Sequence, residues 1–300
     1  MIKASGVRKS FGTFNALDDF SINVKKGSVY GLVGPNGAGK TTFIKSLMGV
    51  YKINAGEITI DGEKTYENSK IKERVICISD DLFFYQSYSI KDTAKLYSGI
   101  YPGWDWETFE KLKDIFKINT KRKVRRLSKG MQKQVAFWLG LSSHPDVMIL
   151  DEPVDGLDPV MRRNVWSLML QAVSEKEMTV LVSSHNLREL EDVCDHVGIL
   201  HEGKVVIEKS LDDIKGNIHK LQLAFSDRGF PDILDTRLEI LNKSGFGSVN
   251  MLIVKGDADE ILNTVNEYSP VVCDILPLTL EEVFIYELGG MGYEFETILL

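Results

Sequence analysis

The sequence predicts an α/β fold, and three features carry the prediction. Ser28-Val29-Tyr30-Gly31-Leu32-Val33 is a short apolar run of buried-strand type. A glycine-rich turn follows at once, and then Thr42-Phe43-Ile44-Lys45-Ser46-Leu47-Met48, with apolar residues at helical spacing. Further apolar runs at 74–79, 147–150 and 179–184 stand between stretches of helical patterning.

The turn is Gly34-Pro35-Asn36-Gly37-Ala38-Gly39-Lys40-Thr41-Thr42, which fits G-x-x-x-x-G-K-[ST]. Glycines suit a backbone that must wrap a phosphate closely with its amides turned inward. The helix that follows offers its N-terminal amides and the positive end of its dipole to the anion. In this frame Lys40 reaches the β- and γ-phosphates and the Thr41 hydroxyl is a ligand for Mg²⁺. A glycine turn with an incidental lysine is the alternative, and the strand before it and helix after it argue against that.

Three hundred residues suggest one large domain or two. The composition, 43% apolar and 26% charged, is that of an ordinary globular protein. A net charge of −7 gives no overall field to gather nucleic acid, so nucleic acid is not expected as a partner. Cys77, Cys194 and Cys273 have no paired spacing and read as reduced thiols, neither a disulfide frame nor a zinc site. The N-terminus lacks a signal core, and no run approaches the roughly 18 apolar residues of a membrane span. Work at a membrane therefore calls for another chain that crosses it.

Residues 2–30 read as strands joined by turns, with Phe11 in a loop between two of them. An aromatic there can stack on a nucleotide base or pack in the core. The run 56–63 is a strand leading to an Asp-Gly turn. The run 74–79 ends in Asp80-Asp81, carboxylates able to hold Mg²⁺ or its water, or to stand as a surface pair. Leu82-Phe83-Phe84-Tyr85 then suggests local packing or a docking surface. From Ser89 to Phe116 the pattern is helical. Asp105 is an N-cap and Trp106, Phe109, Leu112, Ile115 and Phe116 share one face, with Trp104 and Trp106 read as core anchors. The basic run 121–126 reads as a solvated surface or a source of local phosphate attraction. Ser128 caps a second helix whose free amides make another anion site.

Val147-Met148-Ile149-Leu150 is a strand ending in Asp151-Glu152. Asp151 can hold the Mg²⁺ shell, while Glu152, facing elsewhere, can orient or deprotonate a water. Asp155 to Pro159 form a loop, and a last strand over 179–184 delivers His185. A histidine there can bond a γ-phosphate or be structural.

In their order these motifs resemble the ABC-transporter ATPase family, over about residues 2–208. The resemblance rests on the phosphate loop, the signature-like Leu127-Ser128-Lys129-Gly130-Met131, the Asp151-Glu152 strand, the Gly156-Leu157-Asp158-Pro159 loop and His185. It implies a P-loop NTPase (ABC ATPase) with an antiparallel β subdomain, a helical subdomain over about 82–142 and a domain boundary near 215. It also implies that ATP and Mg²⁺ are bound and that Phe11 stacks on adenine. Gly34 to Thr42 hold the phosphates, Thr41 and Asp151 the metal, and Glu152 is the base. His185 is the switch histidine and Asp158 an interface residue. Ser128 and Gly130 contact ATP held by a second subunit, so the chain is expected to form a homodimer or a heterodimer with a related ATPase. Two positions depart from the family pattern: Asp80 stands where glutamine is usual, leaving its Mg²⁺ role open, and Lys129 and Met131 alter the signature.

The layout is similar to exporter ATPases that serve a separate membrane permease from the cytoplasmic face, including the antibiotic- and peptide-efflux type. A regulatory or DNA-repair relative is the rival. Only 88 positions separate Lys40 from Ser128, without sustained heptads, which disfavours the long coiled coils of the repair type. Residues 216–300 form a small α/β unit with strands near 219–225, 238–243 and 251–255 and helices over 257–267 and 280–288. Five basic against fourteen acidic residues give this segment a net charge of −9, which suits neither nucleic acid nor anionic lipid. Dimer support, regulation or a passive cap are the readings for it, and the tail to Leu300 is expected to be loosely held or to dock on a dimer partner.

Overall fold

The computed structural model describes residues 1–211, 213, 218–226 and 230–289. The tail expectation for 290–300 lies outside them. Two compact units divide the chain, Met1–Glu208 and Lys209–Leu300.

The first unit is built from two sheets. Strands β1 (Ile2–Phe11), β2 (Phe14–Val24), β4 (Ala55–Ile60) and β5 (Glu63–Lys64) form an antiparallel sheet in the order β2-β1-β4-β5. The second sheet has the order β10-β9-β3-β8-β7-β6, from β3 (Val29–Val33), β6 (Val75–Ile78), β7 (Val147–Asp151), β8 (Thr179–Ser184), β9 (His196–His201) and β10 (Lys204–Ser210). Strands β6, β7, β8, β3 and β9 run parallel. Their residues are almost all buried, which is why β3, β7 and β8 read as continuous apolar runs without alternation. The strand at 179–184 is not the last of the unit: β9 and β10 follow it.

Helix α1 (Lys40–Leu47) is held between the two sheets in one core. Its Phe43 packs on Phe20 of β2 with ring centroids 4.2 Å apart, and Leu47 and Ile44 bury beside Ile58 and Ile60. Helix α2 (Ser69–Lys72) is a single turn capped by Asn68.

Three helices follow, α3 (Ile90–Ile100), α4 (Trp106–Phe116) and α5 (Lys129–Ser142). Ser89 closes a capping box with Asp92 at the start of α3, and Asp105 accepts from the amides of Glu107 and Thr108 at the start of α4. The aromatic anchor of this layer is Trp138 on α5. It is fully buried, stacked on Phe109 and Phe116 at 4.7 and 5.9 Å, with Nε1 donating to the Phe109 carbonyl. The expectation for Trp104 and Trp106 needs correcting: Trp104 is half-buried and Trp106 is 43% exposed, at the rim of the cluster. Trp138 lay in an unbroken apolar run whose helical face was not separable by pattern. Helix α6 (Pro159–Lys176) completes the unit.

The second unit contains a sheet of order β12-β13-β11-β14, from β11 (Ile218–Ala224), β12 (Glu239–Phe246), β13 (Val249–Lys255) and β14 (Val272–Leu276). Its described helices are α7 (Leu234–Arg237), α8 (Ala258–Asn266) and α9 (Leu280–Gly289). Ile261 and Val265 of α8 pack with Leu221, Leu223, Leu252 and Val254 of the sheet. Edge strand β14 escaped prediction because Cys273 to Leu276 is short, half-exposed and carries Asp274.

Candidate functional site

Strands β3, β6, β7 and β8 all deliver candidate site residues at their C-terminal ends, where open parallel sheets bind ligands. The cleft there is about 420 Å³ and is lined by Pro35, Asn36, Gly37, Gly39, Lys40, Thr41, Thr42, Asp80, Asp151 and Glu152, together with Phe14 and Ala16.

The phosphate loop departs directly from buried β3. Gly39 has φ +114°, and a Cβ there would lie 2.5 Å from the Ala16 carbonyl oxygen, so only glycine fits. No side chain caps α1, and its first amides stay available to an anion. Lys40 is 5% exposed. Its Nζ donates to the Gly34 carbonyl at 2.6 Å and stands 3.5 Å from Glu152 Oε1. Burial pulls its pKa below the ordinary lysine value, and Glu152 and Asp151 partly offset this.

Thr41 Oγ1 donates to Asp151 Oδ2 at 2.8 Å, and Ser183 Oγ donates to the other carboxylate oxygen. Asp151 and Ser183 are direct partners in the β7–β8 register. A hydroxyl and a carboxylate side by side form an all-oxygen donor set that suits a small hard cation. Ser183 was missed as a site residue, although a serine directly after the apolar run Val180-Leu181-Val182 was a readable signal.

Glu152 does not continue the strand. Its φ is +48°, an uncommon conformation for a non-glycine residue, which turns its carboxylate into the same cleft as Asp151. The alternation that sent it elsewhere is broken there. Its Oε2 is 3.0 Å from His185 Nδ1. Glu152, Asp155 and His185 bring ligand atoms within 4.8 Å of one another, so this cluster too is compatible with a cation.

Asp80 reaches the cleft after β6, where its Oδ1 accepts from Lys133 Nζ at 3.1 Å. Lys133 was not singled out by sequence reasoning. Its signal is a lysine within one turn of the apolar segment Val135–Leu139.

Other expected site residues lie outside the cleft lining. Ser128 is exposed and caps α5, accepting from the Met131 amide at 3.3 Å. Gly130 sits against the Gly156 carbonyl, where a Cβ would come within 2.5 Å. Asp158 caps α6 by accepting from the Val160 and Met161 amides. Phe11 closes β1, 45% exposed, with Tyr51 at 5.3 Å and Lys9 Nζ 4.8 Å from its ring centroid. A larger cleft of about 680 Å³, between α6 and residues 186–193, contains none of the phosphate-loop residues.

A phosphate loop after the central strand, an oxygen pair for a cation and a glutamate at the end of β7 define an α/β NTPase. The family described as "ABC transporter" matches residues 17–155. The ABC transporter ATP-binding protein YtrB of Bacillus subtilis (strain 168) is 32% identical over 290 residues, covering 97% of this chain and 99% of that protein. The bacitracin transport ATP-binding protein BcrA of Bacillus licheniformis is 31% identical over 309 residues, covering 97% and 98%. A solved ATP-binding subunit of an ABC transporter superposes with TM-score 0.67 at 27% identity, covering 72% of this chain and 92% of that one. The chain belongs to the ABC transporter ATP-binding proteins, and it is the ATPase subunit of a transporter.

Proposed function

We propose that this subunit binds ATP with Mg²⁺ at the cleft on β3 and β7 and drives export through a separate membrane permease by closing a dimer on the nucleotide. The carrying observation is the division of the site. Pro35 to Gly37, Gly39 to Thr42, Asp151 and Glu152 line one cleft, whereas Ser128 and Gly130 sit outside its lining. A second helix start suited to an anion is then free to complete the cleft of another subunit.

Within the cleft, Gly34 to Thr42 cradle the phosphates with backbone amides and Lys40 exchanges its contact with the Gly34 carbonyl for the β- and γ-phosphates. Thr41 and Asp151 hold Mg²⁺, which supplies charge neutralisation on the phosphate oxygens. Glu152 orients the attacking water and accepts its proton, and His185, already bonded to Glu152, turns to the γ-phosphate. Phe11 stacks on the adenine, and Asp158 lies at the subunit contact. Loss of the γ-phosphate removes what Ser128 and Gly130 hold, and the dimer opens.

No helix among the described residues is long and apolar enough to cross a membrane, which fits a peripheral subunit held to the cytoplasmic face by its permease. Phe83 and Tyr85, 75% and 52% exposed beside the cleft residue Asp80, supply an apolar surface for that permease. The full-length likeness to BcrA supports a peptide-antibiotic cargo. The test is co-expression with a multi-span protein encoded beside this chain. Co-purification, and ATPase activity that responds to the cargo, support the reading; full activity in a chain that never associates with membranes contradicts it.

A further inference from the structure

Among the described residues three charged residues are at most 5% exposed: Lys40, Asp151 and Lys133. The first two belong to the nucleotide cleft. Lys133 is on α5, and an ammonium removed from water must be paired. Its Nζ donates at 2.7 Å to the backbone carbonyl of Glu152 and at 3.1 Å to Asp80 Oδ1. Asp80 itself is 62% exposed at the side chain, so the cation is gripped from within by a carbonyl and at the cleft mouth by a carboxylate.

The carbonyl it holds belongs to the one non-glycine residue of the cleft lining with a left-handed backbone, φ +48°. A glutamate in that conformation is not self-maintaining, and the surrounding contacts must specify it. The Glu152 amide donates to the Ser183 carbonyl at 3.1 Å, and its side chain meets His185 and Lys40. Those side-chain partners are the groups that must exchange when nucleotide binds. The amide bond and the Lys133 bond are the contacts that do not depend on the carboxylate. A charge-assisted hydrogen bond to a carbonyl is stronger than a neutral one and holds the peptide on the far side of the residue from the amide.

We propose that Lys133 is a positioning residue for hydrolysis: by clamping the Glu152 carbonyl it fixes the left-handed turn that aims the Glu152 carboxylate, and Asp80 holds Lys133 in place. This rests on the reading of Glu152 as the base. Lys133 is not among the residues that line the cleft, so its loss lowers turnover and leaves nucleotide affinity in place.

The experiment uses the purified full chain with Mg-ATP and compares Lys133→Met (stem kept, donors lost), Lys133→Gln (donor one atom short) and Lys133→Arg (cation and donors kept). Lys133→Met and Lys133→Gln lower kcat by about tenfold or more, as misplacement of a catalytic group does. KM and the affinity for a fluorescent ATP analogue stay within about twofold. Lys133→Arg recovers most of the loss. In a Glu152→Gln background, Lys133→Gln lowers the residual rate no further, because both changes act through one group. Wild-type kcat in Lys133→Gln, or an equal further loss in the Glu152→Gln background, overturns the proposal. Should Lys133→Met fail to fold, the Gln and Arg variants decide it. Glu152→Gln measured alone separates the two ideas. If Glu152→Gln is as fast as the wild type, the base assignment fails. If Glu152→Gln is inactive and Lys133→Gln turns over normally, only the role of Lys133 fails.

Discussion

Thr41 Oγ1 and Asp151 Oδ2 meet at 2.8 Å, joining the first turn of α1 to the end of β7. The hydrogen bond puts both oxygens at one point of the cleft, with the far side of the carboxylate fixed by Ser183. Replacing Asp151 with Asn keeps the shape and removes the charge that attracts a divalent cation. We expect at least about a 100-fold loss of turnover, the scale of losing one preorganised charge contact, and a higher Mg²⁺ concentration for half-maximal rate. Asp80→Asn provides the comparison. Its carboxylate is engaged by Lys133, so it should alter the Mg²⁺ requirement far less than Asp151→Asn. A Mg²⁺ titration of ATPase rate checks both.

Ser128 and Lys40 act on different nucleotides if the site is shared. Ser128→Ala also removes an N-cap, at about 1 kcal/mol, so its melting temperature must be recorded with its activity. Lys40→Ala and Ser128→Ala should each be weak ATPases alone. Mixed, they form dimers in which the intact loop of one meets the intact Ser128 of the other, and activity should rise above both parents. A rate equal to their average shows that each chain carries its whole site.

Gly130 tests the same helix start by packing. A methyl group there would lie 2.5 Å from the Gly156 carbonyl, and Gly130 is followed by an unbroken helix that cannot shift alone. Gly130→Ala should cost about 1–3 kcal/mol of stability, visible in denaturant unfolding, and should weaken ATP-dependent association further than Ser128→Ala does.

Alkaline pH should destabilise the fold through buried thiols and phenols. Burial pushes the Cys77 thiol from 9.0 to about 12, with Asp151 adding to the shift, and pushes Tyr97 from 10.0 to about 12. Burial drives the Cys194 thiol higher still. The folded chain keeps these protons where the unfolded chain releases them, so the native state binds more protons above pH 9. Stability therefore falls as pH rises from about 9 towards 12, by up to about 1.4 kcal/mol per pH unit for each such group. Below about pH 8 nearly all are protonated in both states and contribute little slope. Melting temperatures between pH 7 and 11 check this, and Cys77→Ala should flatten the decline.

Much of the site was legible because its chemistry is local in sequence. The phosphate loop, the Asp151-Glu152 pair and the Ser128 helix start each occupy a few consecutive residues, and the strands that position them are apolar runs. What escaped depends on distant partners. Ser183 matters because register sets it opposite Asp151, and Lys133 because α5 carries it to a carbonyl 19 residues on. The left-handed turn at Glu152 has no signature, since glutamate is not a residue that favours it. Trp106 misled because a helical face can end at the edge of a core, and periodicity does not say where the edge is.

The central claim is that two copies of the site close on ATP and that Glu152 ends that state. The most direct measurement is light scattering on Glu152→Gln with and without Mg-ATP, alongside its ATPase rate. The account predicts a stable dimer that forms only with ATP and essentially no turnover. A Glu152→Gln protein that remains monomeric with saturating ATP, or that hydrolyses it at the wild-type rate, would contradict it.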